Sequence, residues 1–288
     1  MVNIIGFFVV IGAIVAGYLW EGGALKVLFQ PAEFLIIGGA AAGALLIANP
    51  MQVLKDILHQ LGRVTKTGPS KKDYVDLLVM LYELLTLARK DGLVALESHV
   101  ETPQKSVIIK KYPSFLSNHH AVIFMADTMR LIISGAGIES HDLEALMDID
   151  LETHHEETSR PSRVLGVTAD SLPGLGIVAA VLGIVITMGA IDGPPAEIGE
   201  KVAAALVGTF LGVLLSYGFV QPLSNNLAGK NAEFGRYFLA LKQVLLAFHK
   251  GCLPAIAVEF ARRSIFTDVR PEFTELEKAC RASRPSAT

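Results

Sequence analysis

The sequence predicts an all-α integral membrane protein with four transmembrane helices and a large cytoplasmic helical domain. Of the 288 residues, 51% are hydrophobic and only 18% are charged, which is too apolar for an ordinary soluble domain. Four segments are long and apolar enough to cross about 30 Å of hydrocarbon as helices. Outside them, apolar residues recur at the i, i+3, i+4, i+7 spacing of amphipathic helices.

The first two predicted spans lie close to the N-terminus. The first, Val2 to Trp20, is uncharged, and its lack of a basic leading region predicts a retained membrane helix rather than a signal peptide. The second, Ala32 to Asn49, is opened by Pro31, which suits a helix start. Glu33 lies near its beginning. Two interpretations stay open for this carboxylate: stabilisation at a helix N-terminus, or attraction of an ion.

Residues 171–220 form the second predicted pair of spans, two apolar pieces joined by a ten-residue polar break. Small residues recur every four positions in the second piece, so they share one helix face and allow another backbone to approach closely. They are Ala204, Gly208, Gly212 and Ser216. The polar groups left inside the pair are Thr187, Thr209, Ser216 and Tyr217.

This pair of helices carries no ionisable residue within its apolar pieces. An ion path normally contains one, because such groups cost about 2.5–3.5 kcal/mol each to insert and are retained for function. If the pair lines an ion path, we therefore expect the carboxylate to come from another chain.

The remaining sequence predicts two soluble helical parts. An insert contains amphipathic stripes at Tyr74–Ala88 and Ala121–Ile133 and a third helix that Ser140 can cap. The tail begins with a stripe at Phe234–Phe248, and we expect residues 284–288 to be disordered. The predicted division is 1–49 for spans one and two, 50–170 for the cytoplasmic insert, 171–222 for spans three and four, and 223–288 for the cytoplasmic tail.

The distribution of basic residues predicts the topology. The two short loops hold one basic residue each, Lys26 and Lys201, whereas the insert holds thirteen and the tail ten. Lysine and arginine favour the cytoplasmic side, so both termini and most of the soluble mass are expected inside the cell.

Nothing in the sequence predicts covalent chemistry. A P-loop, a GxSxG, an HExxH and a Cys/His metal spacing are all missing from the sequence, so we expect no enzyme activity, no metal and no cofactor. The net charge of −3 argues against nucleic acid as a partner. His119-His120 and His154-His155 are adjacent pairs whose side chains point about 100° apart on a helix, which predicts surface histidines.

Two charges and two prolines are candidate functional residues. Arg89 ends the first stripe, where a cation suits the helix dipole, and Glu97 follows the Asp91-Gly92 break. They are either a solvated surface pair or an electrostatic docking face. Pro173 is expected in a first helical turn, and Pro222 at the far end of its span, where it can act as a bend or a moving hinge.

Several ordered blocks resemble a known family over nearly the whole chain. They are GYL-x-x-GG and QPAE within 17–33, MRLIISG at 129–135, EALMD at 144–148, DSLPGLGIVAAVLG at 170–183, VGTFLGVLLSYGFVQPL at 207–223 and AVEFARR at 257–263. In this order they are similar to the MotA flagellar motor stator subunits of the MotA/TolQ/ExbB proton channel family.

The resemblance implies an assembly and a set of residue roles. Five chains would form a ring around two copies of a single-span MotB-type partner, whose membrane aspartate supplies the missing ionisable group. Arg89 and Glu97 would engage the rotor protein FliG. The resemblance also implies an ion-path position at Thr209 and coupling positions at Pro173 and Pro222. The polar groups Thr187 and Tyr217 within the spans are further ion-path candidates, together with Ala180. Sodium-type relatives place a hydroxyl where this chain has Ala180, so the resemblance favours protons.

The expected function is therefore a stator subunit of the bacterial inner membrane that is driven by the proton-motive force. An ExbB/TolQ-like subunit of another envelope complex is the main alternative; such subunits have three spans and an outward N-terminus. An autonomous channel would need ionisable residues inside a span. A purely structural scaffold would use the helix pair for oligomer packing alone.

Overall fold

The computed structural model describes residues 2–62, 64, 68–135, 137–189 and 191–283. Every regular element in these residues is helical, which confirms the predicted all-α class. The helices are α1 Val2–Trp20, α2 Leu25–Leu28, α3 Pro31–Ala48, α4 Met51–Gly62, α5 Lys71–Asp91, α6 Glu97–Glu101, α7 Pro113–Ser117, α8 His119–Ile133, α9 Ser140–Met188, α10 Pro195–Val213, α11 Gln221–His249, α12 Pro254–Ser264 and α13 Phe273–Ala282. The predicted disorder of 284–288 lies outside the described residues.

Four of these stretches are long and apolar enough to cross a membrane, which confirms the predicted number of spans. Two are Asn3–Trp20 and Leu25–Ala48, and the other two lie within Ser140–Met188 and Pro195–His249. Their apolar windows have mean hydropathies between 1.8 and 2.2.

The chain forms two compact units. One, here called the span unit, comprises Met1–Lys66 and Thr158–Gly229; the other, here called the helical unit, comprises Thr67–Glu157 and Lys230–Thr288. The sequence boundaries at 49, 170 and 222 concern the expected membrane edges, and they stay predictions. Residues 50–66 and 158–170, which the sequence assigned to the cytoplasmic insert, belong to the span unit by their internal contacts.

The helical unit is built around α5, which confirms the stripe predicted at Tyr74–Ala88. A capping box starts this helix, because the Ser70 side chain accepts from the Asp73 backbone N–H and the Asp73 carboxylate accepts from the Ser70 backbone N–H. The stripe predicted at Ala121–Ile133 is likewise the buried face of α8, and both pack into one apolar core with α11, α12 and α13. Burial of these stripes supplies most of the stability of the unit.

Helix α9 differs from the prediction, because it runs from Ser140 to Met188 without interruption. Pro173 is therefore inside a helix rather than in a first turn, and Gly166–Asp170 is helical rather than a connecting segment. A proline inside a helix removes one backbone hydrogen bond. The flanking residues Ala169, Leu172 and Ala179 are buried, and such packing decides helix formation more than local propensity does.

A π-helical segment, Leu214–Val220, separates α10 from α11. After it, the Gln221 N–H donates to the carbonyl of Ser216, five residues earlier. Pro222 comes next and has no N–H, and in a regular α-helix its ring would clash with the carbonyl four residues before it. A wider turn before the proline is one way to relieve that clash. The bend or moving hinge at Pro222 stays a prediction.

Candidate ion path and rotor-facing residues

Helices α9 and α10 approach so closely that their glycines contact backbone atoms. A Cβ on Gly212 would lie 2.6 Å from the Leu172 carbonyl oxygen and 2.8 Å from the Gly176 Cα. A Cβ on Gly176 would lie 2.8 Å from the Gly208 carbonyl oxygen. Small side chains are what allow membrane helices to reach this distance. The close approach predicted from the four-residue spacing is thus present at Gly208 and Gly212.

Glu33 of α3 lies directly against this contact. Its Oε2 would be 2.5 Å from a Cβ on Gly208, and the Ala180 backbone nitrogen would be 3.1 Å from the same atom. The Glu33 residue is only 7% exposed. Within the described residues its Oε2 has no hydrogen-bond partner. The structure therefore brings a buried carboxylate oxygen, unpartnered within the described residues, to Ala180 and to the residue before Thr209.

This placement adds to what the sequence indicated. Glu33 was expected near the start of span two, with two interpretations open, and the structure places it in the first turn of α3, facing the α9–α10 contact. A carboxylate from another chain stays a prediction. The short helix α2 contacts α10 and precedes the start of α3. Position along the chain could not reveal this, since the contact joins residues about 175 apart.

Two predicted hydroxyl residues lie close to the α9–α10 contact. Thr209 is half-buried, and its Cα would be 3.3 Å from a Cβ on Gly176. Thr187 is fully buried, and its Oγ1 donates to the Gly183 carbonyl at 2.8 Å. The hydroxyl proton is therefore used within α9, while the oxygen can still accept a hydrogen bond. Gly183 in turn contacts Ala205 of α10.

The hydroxyls of the π-helical segment differ from one another. Ser216 is fully buried, and its Oγ has no partner among the described residues. Tyr217 is 63% exposed on this chain, away from the α9–α10 contact. Its role in an ion path stays a prediction.

Arg89 and Glu97 lie in the helical unit on either side of a sharp break. Arg89 is in the last turn of α5, and Glu97 is the first residue of α6. Gly92 ends α5 with a φ of 88°, a conformation that favours glycine. Both charged side chains are exposed, and in the part of the chain that the structure describes neither forms an ion pair, with the other or with a third residue. The two side chains thus form no ion pair within the described residues, and their role as a docking face stays a prediction.

One histidine from each adjacent pair, His120 and His154, makes a ring contact that the sequence did not indicate. The rings of His120 and His154 are 4.9 Å apart, and His154 also stacks 4.7 Å from Phe238. Burial, and then the nearby His120, lowers the pKa of His154. No cluster of three or more metal-ligating side chains occurs among the described residues. The contact thus joins α8, α9 and α11 through aromatic rings.

Comparison with known proteins identifies the family. The family model for the N-terminal part of motility protein A matches residues 4–92, and that of the MotA/TolQ/ExbB proton channel family matches residues 117–238. The chain is 42% identical to motility protein A of Escherichia coli (strain K12), covering 98% of this chain and 96% of that protein. It is 41% identical to chemotaxis protein LafT of Vibrio parahaemolyticus, covering 96% and 98%.

Two solved structures share its fold. The MotAB structure from C. jejuni has a TM-score of 0.75 at 20% identity, covering 92% of this chain and 96% of that one. The flagellar MotAB stator complex from Bacillus subtilis has a TM-score of 0.70 at 23% identity, covering 89% and 92%.

The fold and the relatives together define a membrane subunit of an ion-conducting complex. The chain belongs to the MotA/TolQ/ExbB proton channel family. Within that family its near-full-length relatives are motility proteins, which favours the MotA type over the ExbB/TolQ-like alternative. The resemblance predicted from the sequence is confirmed.

Proposed function

We propose that this chain is a stator subunit of the bacterial flagellar motor that couples inward proton flow to torque on the rotor. Its partner would be a single-span MotB-type subunit that carries the proton-binding aspartate. The observation that carries the proposal is the buried Glu33 carboxylate against Gly208, beside Thr209. A buried ionisable group within a predicted span is costly and is retained for function.

The mechanism we infer uses two carboxylates in succession. Glu33 attracts a proton from the periplasmic side to the α9–α10 contact. The proton then neutralises the aspartate of the partner beside Thr209. A neutral carboxyl group enters an apolar interface that rejects its charged form, so protonation permits one packing step. One charge crossing 100 mV releases about 2.3 kcal/mol, which biases such a step by tens of fold.

The surrounding assembly follows from the same proposal. Five copies of the chain surround two copies of the partner, and Arg89 and Glu97 push the rotor protein FliG. The complex lies in the inner membrane among lipid, with most of its soluble mass in the cytoplasm and no role for nucleic acid. No covalent step is required, so neither an enzyme activity nor a cofactor forms part of the proposal.

Thr209→Val and Pro173→Ala are expected to abolish motility while leaving the assembled complex intact. Valine keeps the shape of Thr209 but removes its hydroxyl, and alanine at position 173 restores a helix hydrogen bond at the proposed coupling position. Swimming speed in a host that lacks its own stator subunit is the measurement, together with co-purification of the MotB-type partner. Thr153→Val, at an exposed position of α9, is the matched control.

A structural scaffold predicts the opposite result, because it tolerates both substitutions. The same cells also test the ion. Swimming speed is expected to follow the proton gradient and to be insensitive to sodium, consistent with the missing hydroxyl at Ala180. Speed that follows the sodium gradient would reject proton coupling.

Arg89→Glu is expected to reduce torque severalfold without affecting assembly. Reversal of an exposed charge turns attraction to a rotor carboxylate into repulsion. Torque is measured from the rotation of beads attached to flagellar stubs. Lys278→Glu, at an exposed position of α13, is the control for a general charge effect. Restoration of torque by a reversed charge on the rotor supports direct contact, whereas unchanged torque in the single variant rejects a role for Arg89.

A further inference from the structure

His99 is a buried histidine that the proposed torque mechanism leaves unexplained. It lies in α6, two residues after Glu97, and is only 9% exposed. Its Nδ1 is 2.6 Å from the Oγ of Ser106, which is 4% exposed. The bond thus joins α6 to the loop that follows it, inside the helical unit.

Two hydrogen bonds of Ser106 bear on the protonation of His99. The Ser106 Oγ accepts from the Ile109 backbone N–H at 3.0 Å. Its own proton can then be donated to Nδ1 of a neutral His99 ring. A proton added at Nδ1 would reverse this hydrogen bond, displace the serine proton from its acceptor and place a positive charge on a buried side chain. Burial and this hydrogen bond together disfavour the imidazolium form.

Helix α6 depends on such tertiary contacts. It contains only five residues, Glu97–Glu101, and a helix of this length is unstable by itself. Besides His99, it is held by the buried Val100 and by an exposed ion pair in which Arg130 of α8 donates to Glu101 at 2.7 Å. Loss of the His99 contact would leave Val100 as the buried attachment of this helix. Helix α6, which carries Glu97, would then be less firmly held.

Burial lowers the pKa of His99. The charged groups on α6 and the elements packed against it are Glu97, Glu101, Lys105, His119, His120, Asp127 and Arg130. Of these, Glu101 and Asp127 each form an ion pair with Arg130 at the surface. An opened segment binds a proton more readily than the closed one below the ordinary histidine pKa of about 6.5, so acidification favours opening. For one proton the opening equilibrium changes by at most about tenfold per pH unit.

We propose that His99 is a positioning residue that loosens α6, and with it Glu97, when the cytoplasm becomes acidic. Proton influx through the stator would then weaken its own engagement with the rotor. The functional half of this inference rests on the proposed rotor contact of Glu97. The structural half, pH-dependent opening of residues 97–109, does not.

The structural half is tested by hydrogen exchange on the purified complex with its MotB-type partner at pH 7.5 and 6.0, corrected for intrinsic rates. Residues 97–109 are expected to exchange at least threefold faster at pH 6.0, relative to α5. His99→Asn places an amide oxygen near the position of Nδ1 but does not titrate, so this difference should disappear. His141→Asn, at an exposed histidine, should behave as the unaltered chain does.

A second variant separates loss of the switch from misfolding. Ser106→Ala removes the partner of His99, so residues 97–109 should exchange rapidly at both pH values. Equal exchange at pH 7.5 and 6.0 in the unaltered chain would overturn the inference, as would an undiminished pH difference in His99→Asn.

The functional half is tested by motor speed with the cytoplasmic pH clamped by a weak acid. His99→Asn cells are expected to retain at least twice the fraction of their pH 7.5 speed that unaltered cells retain at pH 6.0. Identical pH profiles would reject the coupling to torque. Separately, Glu97→Lys with normal torque would reject the proposed rotor contact, while the exchange experiment would still decide the role of His99.

Discussion

Replacement of Gly212 by alanine is expected to separate α9 from α10 and to abolish motility. The added Cβ would lie 2.6 Å from the Leu172 carbonyl oxygen and 2.8 Å from the Gly176 Cα. Both are backbone positions, so no side chain can rotate away to make room. Overpacking of this kind typically costs about 1–3 kcal/mol. The effect is large in a membrane because helix association there depends on close packing.

The matched control for Gly212→Ala is Gly199→Ala in the same helix. A Cβ on Gly199 would meet no atom within 4 Å, so this change should raise helix propensity without disturbing a contact. The thermal midpoint of the purified complex and the swimming speed are measured for both variants. Equal midpoints and speeds would show that the close approach of the two helices is dispensable.

Glu33→Gln is expected to reduce proton-driven motility at least tenfold while the complex still assembles. Glutamine has nearly the shape of glutamate, so the packing against Gly208 is kept. Its amide cannot accept and release a proton as a carboxylate does. Proton uptake by inverted vesicles that contain the complex and its partner, together with swimming speed, measures the loss.

Glu21→Gln provides the comparison for this experiment. Glu21 is exposed in the turn that follows α1, so neutralising it removes a charge without touching the buried contact. If Glu33→Gln and Glu21→Gln conduct equally well, Glu33 is a structural carboxylate and the proton reaches the partner by another route.

Local pattern predicted the helices but not their contacts across the chain. The stripes Tyr74–Ala88 and Ala121–Ile133 became α5 and α8, because amphipathic periodicity describes which face must be buried. The four-residue spacing of Gly208 and Gly212 likewise indicated a close approach. The resemblance to the family supplied the partner, the ring and the roles of individual residues, which no periodicity contains.

What the sequence could not provide depends on the positions of distant segments. Glu33 was placed near a helix start, correctly, but its contact with Gly208 depends on how α3 packs on α10. His120 and His154 belong to different helices, so their ring contact depends on how α8 packs on α9. Pro173 suggested a helix start because local rules penalise an internal proline, whereas burial on both sides of it outweighs that penalty.

The π-helical segment has a consequence for the register of the contact face. Positions four apart on an α-helix drift by about 40° per step, because one turn holds 3.6 residues. A turn that holds more residues rotates the chain back, which allows Ser216 to be as fully buried as Gly208 and Gly212. The π-helical segment thus offsets the angular drift between a four-residue sequence repeat and a helix of 3.6 residues per turn. Gain or loss of one residue between positions 213 and 221 would rotate every later residue of α11 by about 100° relative to α10, so the number of residues in this segment matters as well as their identity.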